Sequence, residues 1–352
     1  MSPARILVSG SGVAGLTVAR LLAARGWPVD CVPLCRTHGP IVVIGQPTAD
    51  LLLELWQADE TLFGGAHCLQ GRVIHWEGGP SPAHSPAPAM AMPVGLLRER
   101  LVERSVAAGV RIVASEIDPM DYGWVVRAGG RDAASEGAIA FGRRRGIVAS
   151  AKLTPLARFD RTVMESVPGG WLFLIPLGLG RGVVQAVLSG TVEPDADLPM
   201  LLEHSQVISP LIEDVADDSA SFAARPRLAA TLCTSRSIAV GDAAMTLDPM
   251  SGNGIGNGLR SAILAAAVIE AAGRETTAEA CVDHYGQRLR NAMRAHVRTC
   301  VDIYARAAHA FDWQGEIDAM NEALDRLPSG PDVLPFRLDN GRLHRVPQQG
   351  WV

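Results

Sequence analysis

An acid and a cluster of glycines near residue 250 are the residues best suited to hold a ligand. Asp242 directly follows a short apolar run, and Pro249, Gly252 and Gly254 come soon after it. A carboxylate at the end of a strand can accept hydrogen bonds from sugar or polyol hydroxyls. Glycines leave backbone N–H groups uncovered, and the positive end of a following helix stabilises an anion or an electron-rich ring edge. Residues 238–262 therefore predict a strand, a polar loop and a helix that form a ligand site.

A second glycine cluster lies near the amino terminus, where Gly10, Gly12 and Gly15 follow a short apolar segment. Residues at helical spacing come next, and a second apolar run at 29–32 completes a β-α-β unit. In such a GxGxxG loop the first glycine makes a tight turn, the second admits a pyrophosphate, and the third lets the helix pack on the strand. The loop also contains Val13 and Ala14, and it predicts a dinucleotide-binding unit.

One expected part of that unit is absent. The acid that binds the adenosine ribose at the end of the second strand would align at Pro33, which has no hydrogen-bonding side chain. Arg36 and Asp30 are candidates to replace this acid, and a loosely held adenosine end is the alternative.

The cluster near residue 250 resembles the second flavin motif of the para-hydroxybenzoate hydroxylase superfamily of FAD-dependent monooxygenases, GDAAxxxxPxxGxGxNxG. The matching residues are Gly241, Asp242, Ala243, Ala244, Pro249, Gly252, Gly254 and Asn257. The resemblance implies FAD as the cofactor, with Asp242 on its ribityl or pyrophosphate part. It also implies that residues 252–257, which include Ile255, lie under the N1/C2 edge of the isoalloxazine ring.

Three further segments resemble flavin-dependent halogenases of the same superfamily. Residues 45–48 resemble a GExT turn, with Gln46 in place of the acid; this implies contacts to the flavin edge, and an ordinary helix cap is the alternative. Residues 128–131 resemble an ATGR turn, which implies Arg131 near the pyrophosphate, unless it is a solvated arginine. Residues 170–176 resemble a WxWxIP segment, so Trp171 and Phe173 are candidates to stack on a planar substrate or to line a sheet face.

The region 61–93 supplies two further candidates for substrate contact, His67 and His75, whose alternative is a structural role. Halogenases use a lysine from a segment that resembles this one, and no lysine lies between Thr61 and Trp76. Residues 78–93 are rich in Pro, Ala and Ser and predict a surface excursion or a mobile loop.

The remaining patterns predict the fold class. Four strands are expected over 145–150, 161–167, 170–177 and 182–189. A helix is expected over 198–211, another from about Gly258, and helices over most of 259–327. Together with the resemblance they predict an α/β protein: a Rossmann-like FAD-binding domain of the glutathione-reductase type, an inserted, mainly antiparallel β substrate domain, and a helical C-terminal region. The predicted boundaries are FAD-binding parts 1–60, 94–150 and 226–275, a substrate loop 61–93, a substrate sheet 151–225, helices 276–327, and a tail 328–352 that is disordered or lies over a neighbouring surface.

Composition excludes several classes of partner. The net charge is −5, and the longest basic block is residues 143–145, which we interpret as a solvated turn, so no nucleic-acid partner is expected. The six cysteines lack the spacing of a metal site, so no metal is predicted. The amino terminus does not resemble a signal peptide, and the apolar stretch 262–272 is too short to span a bilayer. A soluble, cytoplasmic protein without a membrane partner is therefore expected.

No pattern of nucleophile and base, metal ligands or paired carboxylates accounts for the sequence, so the chemistry is assigned to the cofactor and no catalytic residue is predicted. The resemblance implies a monooxygenase that hydroxylates an electron-rich aromatic substrate through a flavin C4a-peroxide, with electrons from NAD(P)H directly or from a separate flavin reductase. Residues 248–262 look most like flavoproteins that modify tryptophan during maturation of quinone-cofactor enzymes, which makes a peptide or protein substrate an alternative to a small aromatic molecule. The sequence is also compatible with a flavin-dependent reductase of an alkene and with a non-catalytic flavin-binding protein, whereas the missing lysine argues against a halogenase.

Overall fold

The computed structural model describes residues 4–33, 41–79, 81–113, 117–131, 137–190, 198–272, 278–330 and 334–346. The strands are β1 (Ile6–Ser9), β2 (Val29–Val32), β3 (Ile41–Gly45), β4 (His67–His75), β5 (Ala83–Pro93), β6 (Arg111–Ile112), β7 (Trp124–Arg127), β8 (Ile139–Ala140), β9 (Arg145–Leu153), β10 (Arg161–Val167), β11 (Gly170–Gly178), β12 (Arg181–Leu188), β13 (Ile212–Val215), β14 (Ala220–Ala223), β15 (Arg227–Leu228), β16 (Ser237–Ala239), β17 (Met245–Thr246), β18 (Phe336–Asp339) and β19 (Arg342–Arg345). The helices are α1 (Val13–Ala23), α2 (Gln46–Trp56), α3 (Val94–Ala107), α4 (Leu198–Glu203), α5 (Gly254–Ala272), α6 (Ala278–Tyr304) and α7 (Gln314–Asp325).

A five-stranded parallel sheet carries both glycine clusters. Its strand order is β16-β7-β1-β2-β6, and every neighbouring pair runs in the same direction. The strands β1 and β2 are short and almost wholly buried, as expected for a parallel sheet covered on both faces. The helices α1 and α5 pack against each other over this sheet. The predicted β-α-β unit is therefore present, and β16 adds the second glycine cluster to the same sheet.

A nine-stranded sheet forms the second layer of the protein. Its order is β13-β9-β12-β11-β10-β4-β5-β3, with β14 beside β9. All its neighbouring pairs are antiparallel except β4 and β10. The four strands predicted between 145 and 189 are β9 to β12, close to their expected bounds.

The expected loop at residues 78–93 is wrong for its second half, because Ala83–Pro93 is the strand β5. This strand pairs with β4 along most of its length and with β3 from residue 89 onwards. Two of its three prolines, Pro86 and Pro88, lie before that point, where β5 has a neighbour on one side only, and the third, Pro93, is its last residue. Proline is tolerated at such positions because no ladder hydrogen bond needs its missing N–H. The proline content thus indicated a loop where the chain forms a half-paired strand.

The predicted helices are present, including the helical C-terminal region, with two differences in their boundaries. α5 begins at Gly254 rather than near residue 258, after Gly252 adopts the left-handed conformation at φ +56°. The expected helix at 198–211 is shortened to α4, followed by a single 3₁₀ turn at Ser209–Leu211. In the described part of the chain α5 is the one helix long and apolar enough to span a membrane, and 72% of its apolar window is buried inside the protein.

The tail forms a small antiparallel hairpin, β18 and β19, over the helices. Phe336 is buried there against His284 of α6, and Arg25 donates a hydrogen bond to the carbonyl of Gly341. The tail was expected to be disordered or to lie over a neighbouring surface. Its described residues lie over such a surface.

The predicted α/β class, with mixed sheets and a helical C-terminal region, is confirmed. The predicted domain boundaries stay predictions, and they do not follow the sheets: β3, β4 and β5 belong to the same nine-stranded sheet as β9 to β12, and the boundary after residue 150 falls within β9. A boundary inside that sheet would cut hydrogen-bonded strands, so residues 41–45 and 67–93 group with 145–223.

Candidate functional site

Three turns meet at the carboxyl edge of the parallel sheet. They follow the adjacent strands β1, β7 and β16, and parallel neighbours place such turns side by side. A Cβ atom built on Gly10, whose φ is +124°, would lie 2.3 Å from the carbonyl oxygen of Ala128. A Cβ atom on Gly15 would lie 2.1 Å from the Gly10 oxygen and 2.9 Å from the Ala128 Cβ. These two glycines are therefore required for close packing of the first turn against residues 128–131.

The two glycine clusters contact each other through Ala14. A Cβ atom on Gly241 would lie 2.8 Å from the Ala14 Cβ, and one on Gly258 would lie 3.4 Å from it. Ser261 of α5 completes this contact, because its hydroxyl accepts a hydrogen bond from the Gly241 N–H at 2.9 Å. Motifs more than 200 residues apart in sequence thus form one surface.

A second group of glycines lines open space instead. In the turns around the site, a Cβ atom would meet no atom within 4 Å on any of five glycines: Gly12, Gly45, Gly130, Gly252 and Gly254. Elsewhere in the chain Gly26, Gly95 and Gly109 are open as well. Gly12 and Gly45 are the N-caps of α1 and α2, and neither cap has a side-chain hydrogen bond. Backbone without side chains beside uncapped helix starts is what a dinucleotide requires, because its phosphates and ring edge can approach the N–H groups. The residues present therefore fit FAD.

Asp242 lies at the edge of this surface and is paired with Arg131. The Arg131 Nε is 3.2 Å from the Asp242 Oδ2, and both side chains are about one-third exposed, at 34% and 33%. Arg227 supports the pair by donating to the carbonyl oxygens of both residues, at 2.8 and 3.4 Å. Arg131 also donates to the Ala223 carbonyl at 2.8 Å, and its contact with a pyrophosphate stays a prediction. The exposed faces of both groups remain available to hydroxyls and phosphate.

The β3–α2 turn lies against the start of α5. A Cβ atom on Gly256 would lie 2.9 Å from the Thr48 Oγ1. Gln46 is exposed and donates to Asp50 at 2.7 Å within α2, and Pro47 occupies the first turn of the helix. The turn therefore begins a helix, as an ordinary cap would, and it also adjoins the second glycine cluster. The contact of Gln46 with a flavin stays a prediction.

The remaining residues of the second motif shape its loop. Pro249 begins a 3₁₀ turn, Pro249–Ser251, which Gly252 ends. Asn257 donates from Nδ2 to the Met245 carbonyl at 3.1 Å, and Ile255 packs partly buried against the core. The loop is thus held by its own side chains, while Gly252 and Gly254 stay exposed.

Asp30 does not replace the missing ribose acid. Its carboxylate is buried, accepts two hydrogen bonds from Arg111 at 2.8 and 2.7 Å, and accepts one from the Tyr122 hydroxyl at 2.6 Å. Burial opposes ionisation of Asp30, but the hydrogen bonds from Arg111 and Tyr122 outweigh it and lower the pKa of the carboxyl. These partners hold β2 and β6 together. Arg36, the second candidate, lies outside the described residues.

The four candidates for substrate contact lie on the nine-stranded sheet. Trp171 is fully buried in the core, and its Nε1 donates to the Tyr304 hydroxyl at 3.2 Å, so it is a core residue rather than an open wall. Phe173 is half-buried on the same strand. His67 and His75, at opposite ends of β4, bond to the carbonyl oxygens of Phe159 and Gly79. Roles of Phe173, His67 and His75 in substrate binding stay predictions.

The interpretation of residues 143–145 as a solvated turn is wrong for Arg144, whose side chain is 0% exposed. It forms ion pairs with Glu316 at 2.6 Å and with Asp248 at 3.1 Å. The sequence offered only one signal for this cluster, the position of Asp248 directly before Pro249 of the motif.

Among known proteins, only solved structures match this chain. No protein-family model matches it, and no curated protein sequence does. The peptidyl tryptophan dihydroxylase QhpG, essential for tryptophylquinone cofactor biogenesis, is 22% identical with a TM-score of 0.78, over 98% of this chain and 86% of that one. The myxobacterial chondrochloren halogenase CndH, a variant of FAD-dependent halogenases, is 17% identical with a TM-score of 0.75, over 93% and 90%.

A small-molecule oxygenase has the same architecture. The 2-methyl-3-hydroxypyridine-5-carboxylic acid oxygenase is 17% identical to this chain with a TM-score of 0.67, over 92% of this chain and 96% of that one. The chain therefore has the fold of these hydroxylases and halogenases, which confirms the predicted fold.

Proposed function

We propose that this protein is a FAD-dependent monooxygenase that hydroxylates an electron-rich aromatic group. The observation that carries the proposal is a set of open glycines in the turns around the site: Gly12 and Gly130 follow β1 and β7 of the parallel sheet, Gly252 and Gly254 follow β17, and Gly45 ends β3. Gly12, Gly45 and Gly254 have neither a positive φ nor a neighbouring atom that a Cβ would meet, whereas Gly10, Gly15 and Gly241 are required by backbone conformation or by packing. Glycines without a conformational or packing reason favour a bound cofactor over a set of tight turns.

The chain's own groups would hold FAD in a defined orientation. Residues 10–15 and the start of α1 would bind the pyrophosphate, together with Val13 and Ala14 backbone groups and the Arg131 guanidinium. Asp242 would accept hydrogen bonds from ribityl hydroxyls. Gly252, Gly254 and the start of α5 would lie under the ring edge, where N–H dipoles stabilise negative charge. Reduced FAD would supply the oxygen activation, and the nine-stranded sheet would cover the substrate and exclude water.

We propose a tryptophan of a peptide or protein as the leading substrate, and a small aromatic molecule as the second. The peptide substrate is supported by the similarity to a peptidyl tryptophan dihydroxylase, which extends over 98% of this chain. The small aromatic substrate is supported by the similarity to the pyridine-carboxylate oxygenase. NAD(P)H or a separate flavin reductase would donate the electrons, and a cytoplasmic location is part of the same proposal. The halogenase neighbours suggest halide oxidation, but no lysine lies between Thr61 and Trp76.

The test begins with the visible spectrum of the purified protein and identification of any chromophore released on denaturation. We expect the two absorption bands of oxidised flavin and release of FAD. Oxygen uptake is then measured with reduced nicotinamide, with and without a flavin reductase, in the presence of tryptophan-containing peptides or free aromatic compounds. Mass spectrometry should show one or two added oxygen atoms in the substrate. A protein that binds no added FAD would contradict the proposal, and flavin reduction without substrate oxygenation would favour the alkene reductase.

A further inference from the structure

A fully buried ionic cluster lies directly behind the second flavin motif. The Arg144 guanidinium binds the Glu316 carboxylate through Nη1 and the Asp248 carboxylate through Nη2, at 2.6 and 3.1 Å. The side chains of Arg144 and Asp248 are both 0% exposed. Removal of these charges from water is costly, and in other proteins the replacement of such a cluster by apolar residues is often neutral or stabilising. Stability alone therefore does not account for the cluster.

Tyr304 joins this cluster to the nine-stranded sheet. Its hydroxyl donates to the Asp248 Oδ2 at 3.1 Å and accepts a hydrogen bond from the Trp171 Nε1 at 3.2 Å. The Arg144 guanidinium lies over its ring at 4.9 Å. Burial, and next the charge of Asp248, raises the pKa of Tyr304 well above its ordinary value, so the hydroxyl stays protonated and remains a donor. Trp171, Tyr304 and Asp248 thus form a directed chain of hydrogen bonds.

Asp248 is the residue at which the motif loop begins. Its Oδ1 accepts the Met250 N–H at 3.0 Å, and its own N–H donates to the His296 Nε2 at 2.9 Å. The loop then passes through the turn Pro249–Ser251 and the left-handed Gly252 before α5 begins at Gly254. Glycines in such a loop have access to many backbone conformations, so an anchor at its first residue limits what they sample.

We infer that Asp248 is a positioning residue for the cofactor loop, and that Arg144 and Tyr304 hold it. Through Asp248, Arg144 and Tyr304 keep Gly252 and Gly254 in the conformation that faces the cofactor, and Tyr304 fixes this loop relative to the strand β11 that carries Trp171. The inference rests on the proposed function, because FAD is the ligand that the loop receives. Asp248 itself does not touch the ligand; its side chain is enclosed by protein.

The test compares two carboxylates that share the same arginine. Asp248→Asn keeps the size of the side chain and an oxygen for the Met250 N–H but removes the charge that Arg144 binds. Glu316→Gln does the same to the second partner, which belongs to α7 and has no contact with the motif loop among the described hydrogen bonds. Apo-protein is titrated with FAD by flavin fluorescence, and the visible circular dichroism of the saturated protein is recorded. Far-UV circular dichroism and thermal melting report folding.

We expect Asp248→Asn to weaken FAD binding about tenfold or more and to change the visible circular dichroism of the bound flavin, because the loop loses its anchor. Glu316→Gln should lower the melting temperature while the dissociation constant for FAD changes less than about threefold. Equal dissociation constants and spectra for Asp248→Asn and the wild type would overturn the inference. So would equal losses of affinity in both variants, since they would reflect general destabilisation.

If Asp248→Asn does not fold, Tyr304→Phe tests whether the hydrogen bond to Asp248 positions the cofactor loop. It keeps both ion pairs and the ring, and it removes the hydrogen bonds to Asp248 and from Trp171. We expect about threefold weaker FAD binding with an altered visible circular dichroism spectrum. Wild-type affinity and spectrum in this variant would overturn the inference. A wild-type protein that binds no FAD would instead overturn the proposed function together with the inference.

Discussion

Two glycines in the same turn differ in the reason for the missing side chain. Gly10 and Gly12 both belong to the GxGxxG loop, and Gly10 has a φ of +124° and a close approach to Ala128, whereas Gly12 faces open space. A pattern that assigns both to phosphate binding therefore combines a folding requirement with a binding requirement. The two requirements can be separated by the same substitution at each position.

We expect Gly10→Ala to lower the free energy of unfolding by more than about 2 kcal/mol, because an alanine there is strained and meets the Ala128 oxygen. Gly12→Ala should change that free energy by less than about 1 kcal/mol, since nothing lies within 4 Å of the added methyl group. The same methyl group would block a pyrophosphate, so we expect FAD affinity to fall about tenfold or more. Urea denaturation without FAD and titration with FAD measure the two effects.

Gly26→Ala is a control for backbone strain without a binding site nearby. Gly26 has a φ of +84° and open space around it, at the end of α1. The Gly26→Ala variant should have a lower free energy of unfolding than the wild type and an unchanged dissociation constant for FAD. Full FAD affinity in Gly12→Ala would show that the open space beside Gly12 does not receive the pyrophosphate.

Short sequence motifs predicted the glycines and the acid of the candidate site, but they did not predict the buried ion pairs behind it. Gly10, Gly12, Gly15, Asp242 and residues 252–257 are recognisable because short-range spacing defines a turn followed by a helix. The ion pair of Arg144 with Glu316 joins residues 172 positions apart, and no local period records such a contact. Arg144 therefore looked like a solvated residue, although it is one of the most deeply buried side chains.

Among the strands, those with a strong β pattern were predicted closely and β5 was not. β10 to β12 are rich in β-branched and aromatic residues, whereas β5 has the sequence AHSPAPAMAMP, with no β-branched residue. Tertiary pairing with β4 and β3 determines its conformation instead. The start of α5 was misplaced for a related reason, because four alternating glycines hide the point at which helical hydrogen bonding begins.

Amide hydrogen exchange can test β5 directly. We expect Ala89, Met90 and Ala91 to exchange slowly, because both neighbours β3 and β4 flank this part of the strand. Ala83, His84 and Ser85 have one neighbour only, so about half of their amides face no strand and should exchange faster. Exchange of residues 89–91 at the rate of an open loop would contradict the strand and restore the loop prediction. The buried strand β11 provides the slow reference in the same experiment.

For the protein as a whole, two sheets, the C-terminal helices and the tail hairpin share one main core. Residues from β1, β11, α5, α6 and β18 belong to the same buried cluster, so a change in one layer reaches the others through packed side chains. This core joins residues that are far apart in sequence, so no local pattern could predict which surfaces meet. The shared core also means that buried titratable groups far from the site contribute to the stability of the whole molecule.

His284 of α6 is such a group, 1% exposed and packed edge to face against Phe336 of the tail hairpin, with ring centroids 5.5 Å apart. Burial, and next the charge of Arg288, lowers its pKa from 6.5 to about 4. The unfolded chain therefore binds a proton at a higher pH than the folded chain does. The stability contributed by neutral His284 is complete above pH 6.5 and is lost as the pH falls from 6.5 through about 4.

We expect the free energy of unfolding to fall by roughly 2–3 kcal/mol across that range because of His284. In His284→Gln this pH dependence should become shallower, since glutamine does not titrate. Part of it should remain, because burial also lowers the pKa of His296, which accepts the Asp248 N–H. Urea denaturation at several pH values from 4 to 7.5 measures the slope. His204→Gln, at an exposed position on the surface, should keep the wild-type slope. If His284→Gln also kept it, the proton uptake would belong to other groups, and the packing of α6 against the tail hairpin would not set the acid limit of stability.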